Sequence, residues 1–438
     1  MSGFSNLRAG VLPVLLLLGA NSRPVVGQDP GKQLNLALGG RTKNRVQLSG
    51  EVRQRFEDRT GIAFGRDRDL AADYLRFRLG ATVRPVSWIK ISGMLQDARA
   101  AAYGFPPPGN VRDPVDLQEG YVELFSGKQT GIGLTVGRQM INYGDTRIIG
   151  SPQWAYTART WDTARLYHVS KRLKVELLLL SPVQTRGTGF NRPVLGDRLW
   201  GTYNTLRDTF GKTVTDFYAI RHDQNRPGGF TGEGRIAINA FGSRWAVPLP
   251  QNFRITLEGI VQNGKAGILP HRAAAAVALI GYKTTLFGKL LDLAAEYKYA
   301  SGTDPTSGKH STFDQFYPAA HDKFGHVDLI GWRNVHNIRS LNTLSLGKRW
   351  QCILMYNNTW LANSRDALYT IQGRPIVRSA DGSAGRHAGQ ELDLYTNYQV
   401  FGFTIAAGVG RFFPGEFVRK TTPGANSALL YLSTSYSF

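Results

Sequence analysis

Apolar and polar residues alternate along most of the chain beyond residue 43. A period of two puts successive side chains on opposite faces of an extended strand, so the pattern predicts strands with one apolar and one polar face. Between residues 73 and 84, the apolar face holds Leu75, Phe77, Leu79, Ala81 and Val83, and the polar face holds Tyr74, Arg76, Arg78 and Thr82. The alternation recurs at 46–56, 253–262, 291–299 and 391–400.

The sequence predicts an all-β fold of about eighteen strands. They lie at 43–56, 73–84, 88–99, 115–126, 131–139, 162–170, 172–181, 198–207, 213–222, 233–245, 252–263, 272–283, 289–300, 339–349, 351–361, 388–400, 401–412 and 427–438. An even number brings both ends of the chain to the periplasmic side, as single-chain bacterial barrels require. The long connections are then extracellular, at 57–72, 100–114, 140–161, 182–197, 301–338 and 362–387.

Two architectures fit such strands. A soluble sandwich buries the apolar face against a second sheet, whereas an outer-membrane barrel turns it toward lipid and its polar face toward a watery lumen. Alternating short and long connections, together with several charges on each polar face, favour the barrel. The longest apolar run of the mature chain, Ala273–Ile280, is too short for a membrane helix but suits a spanning strand of about 9–11 residues. We expect a transmembrane antiparallel β-barrel.

Three tryptophans lie where such a barrel would meet the membrane interface. Trp88, Trp245 and Trp350 each sit beside a predicted short connection, the last of them at a turn placed at 350–351. Aromatic residues form girdles at this level of outer-membrane barrels. Taken singly, each tryptophan fits ordinary packing better than a girdle.

The N-terminus has the layout of a secretory signal peptide. Arg8 precedes the apolar run Ala9–Ala20, and small residues follow up to Gly27. The run is shorter than the roughly 20 residues of a spanning helix, which disfavours an uncleaved membrane anchor. The predicted divisions are a signal peptide at 1–27, a short periplasmic segment at 28–42 and a barrel at 43–438, located in the outer membrane of a Gram-negative cell.

Composition adds a strong positive charge to this picture. The formal net charge is +21, and arginine is far commoner than lysine, with 38 Arg against 15 Lys. Arginine grips carboxylate or phosphate groups with two parallel hydrogen bonds, so the excess suggests the binding or guiding of an anion. A GC-rich genome explains the same ratio. The single cysteine, Cys352, excludes an intrachain disulfide and a cysteine-based metal cluster, and no cofactor is expected.

Parity assigns charged side chains to the predicted lumen. The basic residues on polar faces are Arg53, Arg55, Arg76, Arg78, Arg254 and Lys298, and the acids are Glu258, Glu391 and Asp393. The acids would orient the arginines and keep an anionic solute from becoming trapped. Arg138 departs from this parity, because it shares a face with Leu134 and Val136. Either a bulge at Gly137 turns it inward, or its side chain snorkels at the rim.

Two long connections carry further candidates. Asp145, Arg147, Arg159 and Asp162 lie in or near 140–161, which we interpret as a loop folded into the pore. The alternative is a solvated surface loop held by an Asp–Arg pair.

The connection 301–338 ends in Trp332, Arg333 and His336, which form either a binding lip or, more simply, an anchor to the barrel wall. The histidines gathered loosely in this connection, which allow a weak metal site, are His310, His321, His326 and His336.

The last strand ends in an alternating, aromatic-containing segment. Tyr436 and Phe438 lie on one face with Leu430, Leu432 and Thr434. A terminal phenylalanine after such a strand resembles the assembly signal of outer-membrane barrels, so we expect the barrel assembly machinery to be a partner.

Three stretches together resemble the alginate export family of outer-membrane proteins. They are residues 137–166, residues 324–336, and residues 391–417 with the closing strand. Arg165, in the first stretch, is a further candidate for the substrate path. The resemblance implies an eighteen-stranded barrel whose basic lumen passes an anionic polysaccharide outward. It implies as partners outer-membrane lipid, an alginate-like polyuronate and periplasmic export components. Family members outside alginate producers are often porin-like, so the resemblance says more about the fold than about the transported substrate.

Other function classes are weaker. A general anion-selective porin for small solutes is the main alternative, followed by a structural or adhesive barrel. A barrel enzyme would need a nucleophile beside a histidine, and neither Ser311 nor Ser340 lies in a nucleophile motif. Nucleic-acid binding is disfavoured, because the arginines alternate with lipid-facing residues and form no continuous basic stripe.

Overall fold

A computed structural model describes residues 34–35, 46–104, 112–127, 130–225 and 235–438. The predicted signal peptide at 1–27 lies outside the described residues, as does most of the predicted segment 28–42. Both stay predictions.

Eighteen long strands make up most of the described chain. Numbered β1 to β18, they are Val46–Thr60, Leu70–Val86, Ile89–Gly104, Asp113–Phe125, Gly131–Gln139, Trp161–Val169, Leu173–Gln184, Asp197–Arg207, Val214–Gln224, Ile236–Pro248, Phe253–Ala266, Leu269–Leu286, Lys289–Ala300, Val335–Ser345, Trp350–Leu361, His387–Val400, Phe403–Pro414 and Ser427–Ser437. Each pairs with its neighbours in antiparallel register. β18 pairs back onto β1, from Glu51 opposite Ser437 to Thr60 opposite Ala428. The predicted closed, eighteen-stranded antiparallel barrel is confirmed.

The remaining elements are short. They are the strands Leu34–Asn35, Arg192–Pro193, Ala367–Tyr369 and Pro375–Arg378, the 3₁₀ turns Ile62–Phe64 and Pro305–Ser307, and the helix α1 at Glu416–Thr421. Among the described residues, no helix combines the length and the apolar character needed to cross a membrane.

The two faces of the strands differ as the alternation predicts. On β2, Phe77 and Leu79 are 44% and 58% exposed on the outer face, whereas Arg76 and Arg78 are buried on the inner face. Apolar outward residues suit lipid contact, and charged inward residues suit a lumen.

Short connections occupy one end of the barrel, and the long connections occupy the other together with one two-residue turn. The prediction missed two long connections, 225–235 and 415–426, at the long-connection end. It also missed a two-residue turn there, at 267–268, because β11 and β12 continue beyond their predicted limits.

One predicted turn is misplaced. The strand expected at 339–349 runs over Val335–Ser345, and a backbone hydrogen bond from Leu346 to Trp350 closes the turn that follows. Trp350 therefore opens β15 instead of forming the turn. The alternation fails at the start of β14 because Val335 is apolar yet points into the barrel. There it packs in a buried apolar cluster.

Two connections fold into the barrel and fill its upper half, which is the half next to the long connections. We call 140–160 the inserted loop and 301–334 the covering loop. Their buried apolar residues include Ile141, Ile148 and Ile149 from the first, and Phe313, Phe316, Ile330 and Trp332 from the second. The inward wall residues that pack on them include Leu180, Leu199, Ile220, Ile238, Ile260 and Val277. The expectation of a polar lumen wall is therefore wrong for this half, where several strands are apolar on both faces.

Outward aromatic residues gather near the short connections. Trp245 contacts Phe217 on β9 with ring centroids 6.0 Å apart, and Trp350 contacts Tyr398 at 6.1 Å. Trp88 is half exposed at its turn. These positions match the interfacial girdle of a barrel.

The last residue of the chain, Phe438, pairs with a glycine of β1. The backbone N–H and C=O groups of Phe438 pair with those of Gly50 at 3.1 and 3.0 Å. The Phe438 ring covers Gly50 so closely that a Cβ added there would lie 2.4 Å from the ring. The aromatic side chain thus occupies the space that the glycine leaves on the neighbouring strand.

Candidate functional site

Four inward arginines on β1 and β2 form the main cationic feature of the lumen. This arginine ladder consists of Arg53, Arg55, Arg76 and Arg78, all buried. Two strands place them together because residues two apart on a strand share a face, and Arg53 lies directly opposite Arg76.

The ladder holds the backbone of the inserted loop. Arg53 donates to the carbonyl oxygen of Gln153 at 2.7 Å, and Arg55 donates to that of Trp154 at 2.9 Å. Arg76 donates to the carbonyl of Ala155 at 3.0 Å. Three arginines therefore bind three consecutive peptide groups, and the loop covers the inward arginines that parity assigns to the lumen.

Aromatic stacking strengthens this contact. The Arg55 guanidinium carbon lies 3.5 Å from the centroid of the Trp154 ring and 4.3 Å from that of Tyr156. The Tyr156 ring stacks on Tyr74 of β2 with centroids 3.8 Å apart. Cation–π contacts of this kind gain strength when water is excluded.

Acidic partners balance only part of the charge. Glu51 binds Arg76 at 2.6 Å and approaches Arg78 at 3.8 Å. Glu57 binds Arg55 at 2.7 Å, but it also binds Arg59 at 2.8 Å. The ladder therefore keeps excess positive charge, and neutral carbonyl oxygens occupy many of its donors.

A second ionic cluster joins the tip of the inserted loop to the opposite wall. Arg147 binds Asp145 at 2.6 Å, Glu296 at 2.6 Å and Glu258 at 3.2 Å. Asp145 also binds Arg244 at 2.6 Å. Burial by itself raises the pKa of the Asp145 carboxyl, but the Arg147 and Arg244 guanidinium groups hold that pKa below its ordinary value. The tip is an ion-paired bridge across the lumen.

Lys298 belongs to the same cluster. Its ammonium group lies 3.0 Å from Glu296 and 4.4 Å from the centroid of the Phe324 ring in the covering loop. Glu296 is also bound by Arg339 at 2.7 Å. Lys298 is fully buried, so it tethers the covering loop and does not meet solvent.

Arg159 and Arg333 hold the loops together. Arg159 donates to the carbonyl oxygens of Gly150 and Tyr317, both at 2.9 Å, and its burial lowers its pKa to about 10. Arg333 donates to the carbonyl of Gly373 at 3.0 Å. Trp332 is buried and donates to the Tyr299 carbonyl at 3.0 Å, which favours an anchor over a binding lip.

Arg138 and Asp162 do not face the lumen. They lie opposite each other on β5 and β6, bind at 2.8 Å, and share the outward face with Leu134. The register is regular through Gly137, so the suggested bulge is absent and Arg138 belongs to the outer wall. Placing this pair in the substrate path was wrong.

Two further predicted arginines line the lumen away from the ladder. Arg254 binds Asp292 at 2.7 Å near the short-connection end, and its side chain is 34% exposed. Arg165 binds Glu176 at 2.8 Å on the inner wall. Arg254 is the predicted lumen arginine most open to solvent.

The last predicted acids lie beneath the covering loop. Glu391 accepts a hydrogen bond from the backbone N–H of Val327 at 2.8 Å, and Asp393 is buried beside it. They help to seat the loop.

The four histidines of this connection separate. His321 and His326 have ring centroids 4.5 Å apart, whereas His310 bonds to His271 of β12 and His336 to Tyr297 on the outer face. Among the described residues, no group of three or more His, Cys, Asp or Glu side chains has the arrangement of a metal site.

Several contributors escaped the sequence reasoning. Arg244 has the parity opposite to Trp245, which was a usable signal, and Arg339 lies in the strand whose limits were misplaced. The loop carbonyls that accept hydrogen bonds from the ladder could not be predicted from the sequence, because every residue carries a carbonyl.

Sequence comparison assigns this barrel to a family. The sequence model described as "Alginate export" matches residues 44–431, almost the whole barrel. The chain belongs to the alginate export family. Among curated proteins, no sequence match is found.

Solved outer-membrane proteins of Pseudomonas aeruginosa share the fold of this alginate export family member. OccK3 (OpdO) is 13% identical, with 90% of this chain and 95% of that chain covered and a TM-score of 0.58. OpdK, solved with vanillate, is 9% identical, with 90% and 98% covered and a TM-score of 0.60. OccK10 (OpdN) is 11% identical, with 90% and 99% covered and a TM-score of 0.60.

The alginate export family member is thus an outer-membrane β-barrel channel. Its family and fold are those of channels and porins, which are not enzymes.

Proposed function

We propose that this channel exports an anionic polysaccharide, an alginate-like polyuronate that carries a carboxylate on each sugar. The observation that carries the proposal is the arginine ladder, whose donors are held by neutral loop carbonyls. A carboxylate makes shorter and stronger hydrogen bonds to guanidinium than a neutral carbonyl does. An arriving polyuronate therefore competes for the ladder on favourable terms.

The lumen offers a graded path to the ladder. Arg254 lies open near the short-connection end, Arg165 lies higher on the wall, and the ladder follows at mid-height. Ion pairs keep Arg254 and Arg165 from binding an anion too tightly, and conduction needs entry without trapping.

In this proposal the inserted loop is exchanged for substrate. As carboxylates engage Arg53 and Arg55, the peptide groups of 153–155 lose their partners and the loop withdraws. The polymer then passes along the ladder by stepwise replacement of one carboxylate by the next.

Transport of small anions is the second candidate. The two loops that fill the upper barrel leave less room for a chain of sugars than for a single small acid. OpdK, which shares the fold, was solved with vanillate, a small aromatic acid.

Planar-bilayer conductance distinguishes the two candidates. Purified channels are titrated with uronate oligomers of increasing length and with monomeric uronate, and ion selectivity is recorded. Block that strengthens with oligomer length, and that weakens in Arg76→Gln/Arg78→Gln, supports polymer export. Equal effects of monomer and oligomers support the porin.

Arg138→Gln is the matched control, because it removes one arginine charge from the outer wall and none from the lumen. Cation selectivity in the unaltered channel, or block that Arg138→Gln weakens as much as the ladder variant does, would refute an arginine-guided path.

A further inference from the structure

The outer wall carries a cluster of cations on one side only. On β8 to β12, near the long connections, the outward basic residues are Arg198, Arg221, Arg235, Lys265 and Arg272. Strand register brings them together, because Arg198 lies opposite Asp223, Ala237 opposite Lys265, and Asn263 opposite Arg272. They share the lipid-facing side with exposed Trp200 and Val261.

Among the described residues, this outer-wall cation cluster has one acidic partner. Asp223 lies beneath Trp200 and Arg221, which donate to it at 2.8 and 3.0 Å. Arg198 and Arg235 reach Asp223 only at 4.0 and 3.9 Å, and their side chains are 55% and 63% exposed.

Elsewhere on the outer wall, two arginines at this height each have their own acidic partner. Arg99 binds Asp97 at 2.8 Å, and Arg138 binds Asp162 at 2.8 Å. Cations that face the membrane are costly unless an anion compensates them. The outer-wall cation cluster therefore carries positive charge that its one acid, Asp223, does not balance.

A groove lies directly below the cluster on the same strands. It has a volume of about 640 Å³, and its floor includes the small residues Ala219, Gly242, Gly259 and Ala274 between the larger side chains of Phe217 and Phe241. It begins two residues farther along β9 and β12, four along β8 and β11, and six along β10, which is roughly 7–20 Å toward the short connections. That distance places the groove at the depth of hydrocarbon when the cations lie at the headgroups.

We propose that this outer-wall site binds an anionic lipid of the outer leaflet whose headgroup carries phosphate. The cations hold the phosphate oxygens, for which arginine's planar donor fork is suited. One acyl chain lies in the groove, where the small residues leave room beside the sheet. The two halves of the site thus match the two halves of one lipid molecule, and neither half is explained by transport through the lumen.

Native mass spectrometry of the detergent-purified barrel tests the proposal with bisphosphorylated lipid A as the probe. The cation variant is Arg198→Gln/Arg272→Gln. Its matched control, Arg99→Gln/Arg411→Gln, removes two outward cations from other strands. We expect the cation variant to weaken lipid binding about tenfold or more and the control to change it less than about twofold. Equal weakening by both variants would overturn the site.

A second pair of variants tests the groove. A Cβ at Gly259 or at Gly93 meets no atom within 4 Å, so Gly259→Leu fills the groove without a clash and Gly93→Leu adds the same side chain elsewhere on the outer wall. We expect only Gly259→Leu to weaken binding of the lipid. No effect of Gly259→Leu would remove the acyl half of the proposal.

The probe itself also distinguishes lipid from soluble phosphate. Dephosphorylated lipid A should bind weakly, and inorganic pyrophosphate should compete only at far higher concentration than the lipid. Pyrophosphate binding as tight as that of lipid A would refute the lipid assignment. Heat-modifiable migration on gels confirms that each variant is folded.

Discussion

Replacing Arg53 with methionine should release the inserted loop from the arginine ladder. Methionine keeps an unbranched apolar stem but removes the guanidinium group and its donors. Within the described residues, the Arg53 guanidinium donates to this loop alone, at 2.7 Å to Gln153, 3.3 Å to Trp154 and 3.4 Å to Ala155. The substitution therefore acts on loop docking and leaves strand pairing intact.

The size of the effect follows from these contacts. A hydrogen bond from a charged donor contributes about 1.5–3 kcal/mol when it is short. Removing Arg53 also relieves repulsion from the nearby guanidinium groups of Arg55 and Arg76. We therefore expect a net loss of about 2 kcal/mol in docking free energy, equivalent to a roughly 30-fold rise in the undocked fraction.

Two measurements detect an undocked loop. Limited proteolysis of the detergent-solubilised barrel should cut within 140–160 much faster in Arg53→Met than in the unaltered protein. Single-channel recordings should show a higher open fraction without added solute. Both signals report the loop, because the closed barrel itself resists proteases.

Arg254→Met is the matched control, since it removes an inward arginine that pairs with Asp292 and does not contact the inserted loop. It should alter ion selectivity and leave proteolysis unchanged. Arg53→Met channels with normal proteolysis and a normal open fraction would show that the ladder does not hold the loop closed.

Three other outcomes are expected. Phe438→Asp should cut the yield of heat-modifiable barrel sharply, and Gly50→Leu should do the same by displacing the Phe438 ring; normal yields from both would make the ring contact incidental. Leu75→Arg, on the outer face, should destabilise the barrel by about 2–4 kcal/mol if it lies near the midplane, measured by urea unfolding in lipid vesicles; a change below 0.5 kcal/mol would contradict the lipid-facing assignment. Burial lowers the pKa of His326 to about 3 and that of His310 to about 4, whereas an unfolded imidazole titrates near 6.5. Their neutral forms therefore stabilise the covering loop above about pH 6.5, and proteolysis of 301–334 should increase as pH falls from there toward 4, but not in His310→Gln/His326→Gln.

The lower half of the barrel was predictable from the sequence for a simple reason. There each strand separates lipid from water, so the alternating residues identify its two faces, as on β11 with Phe253 outside and Arg254 inside. The number of strands and the closing role of β18 follow from the same period.

The upper half was not predictable in this way. Loops enter the barrel there, and inward wall residues such as Leu180 and Ile238 become apolar to pack on them. Both faces of a strand are then apolar, and parity no longer separates inside from outside. The contact between the arginine ladder and the inserted loop could not be predicted for another reason. The ladder binds backbone carbonyls, which every residue carries whatever its side chain.

The seam between β1 and β18 joins the strands that are farthest apart along the chain. Neighbouring hairpins form locally, but this last pairing waits until every intervening strand is in place, and closing so long a loop is entropically slow. Until then, two rows of backbone N–H and C=O groups are unpaired, which a bilayer does not tolerate. Assembly is therefore all-or-none: a chain that stops before β18 yields an open sheet exposed to degradation, never a narrower pore.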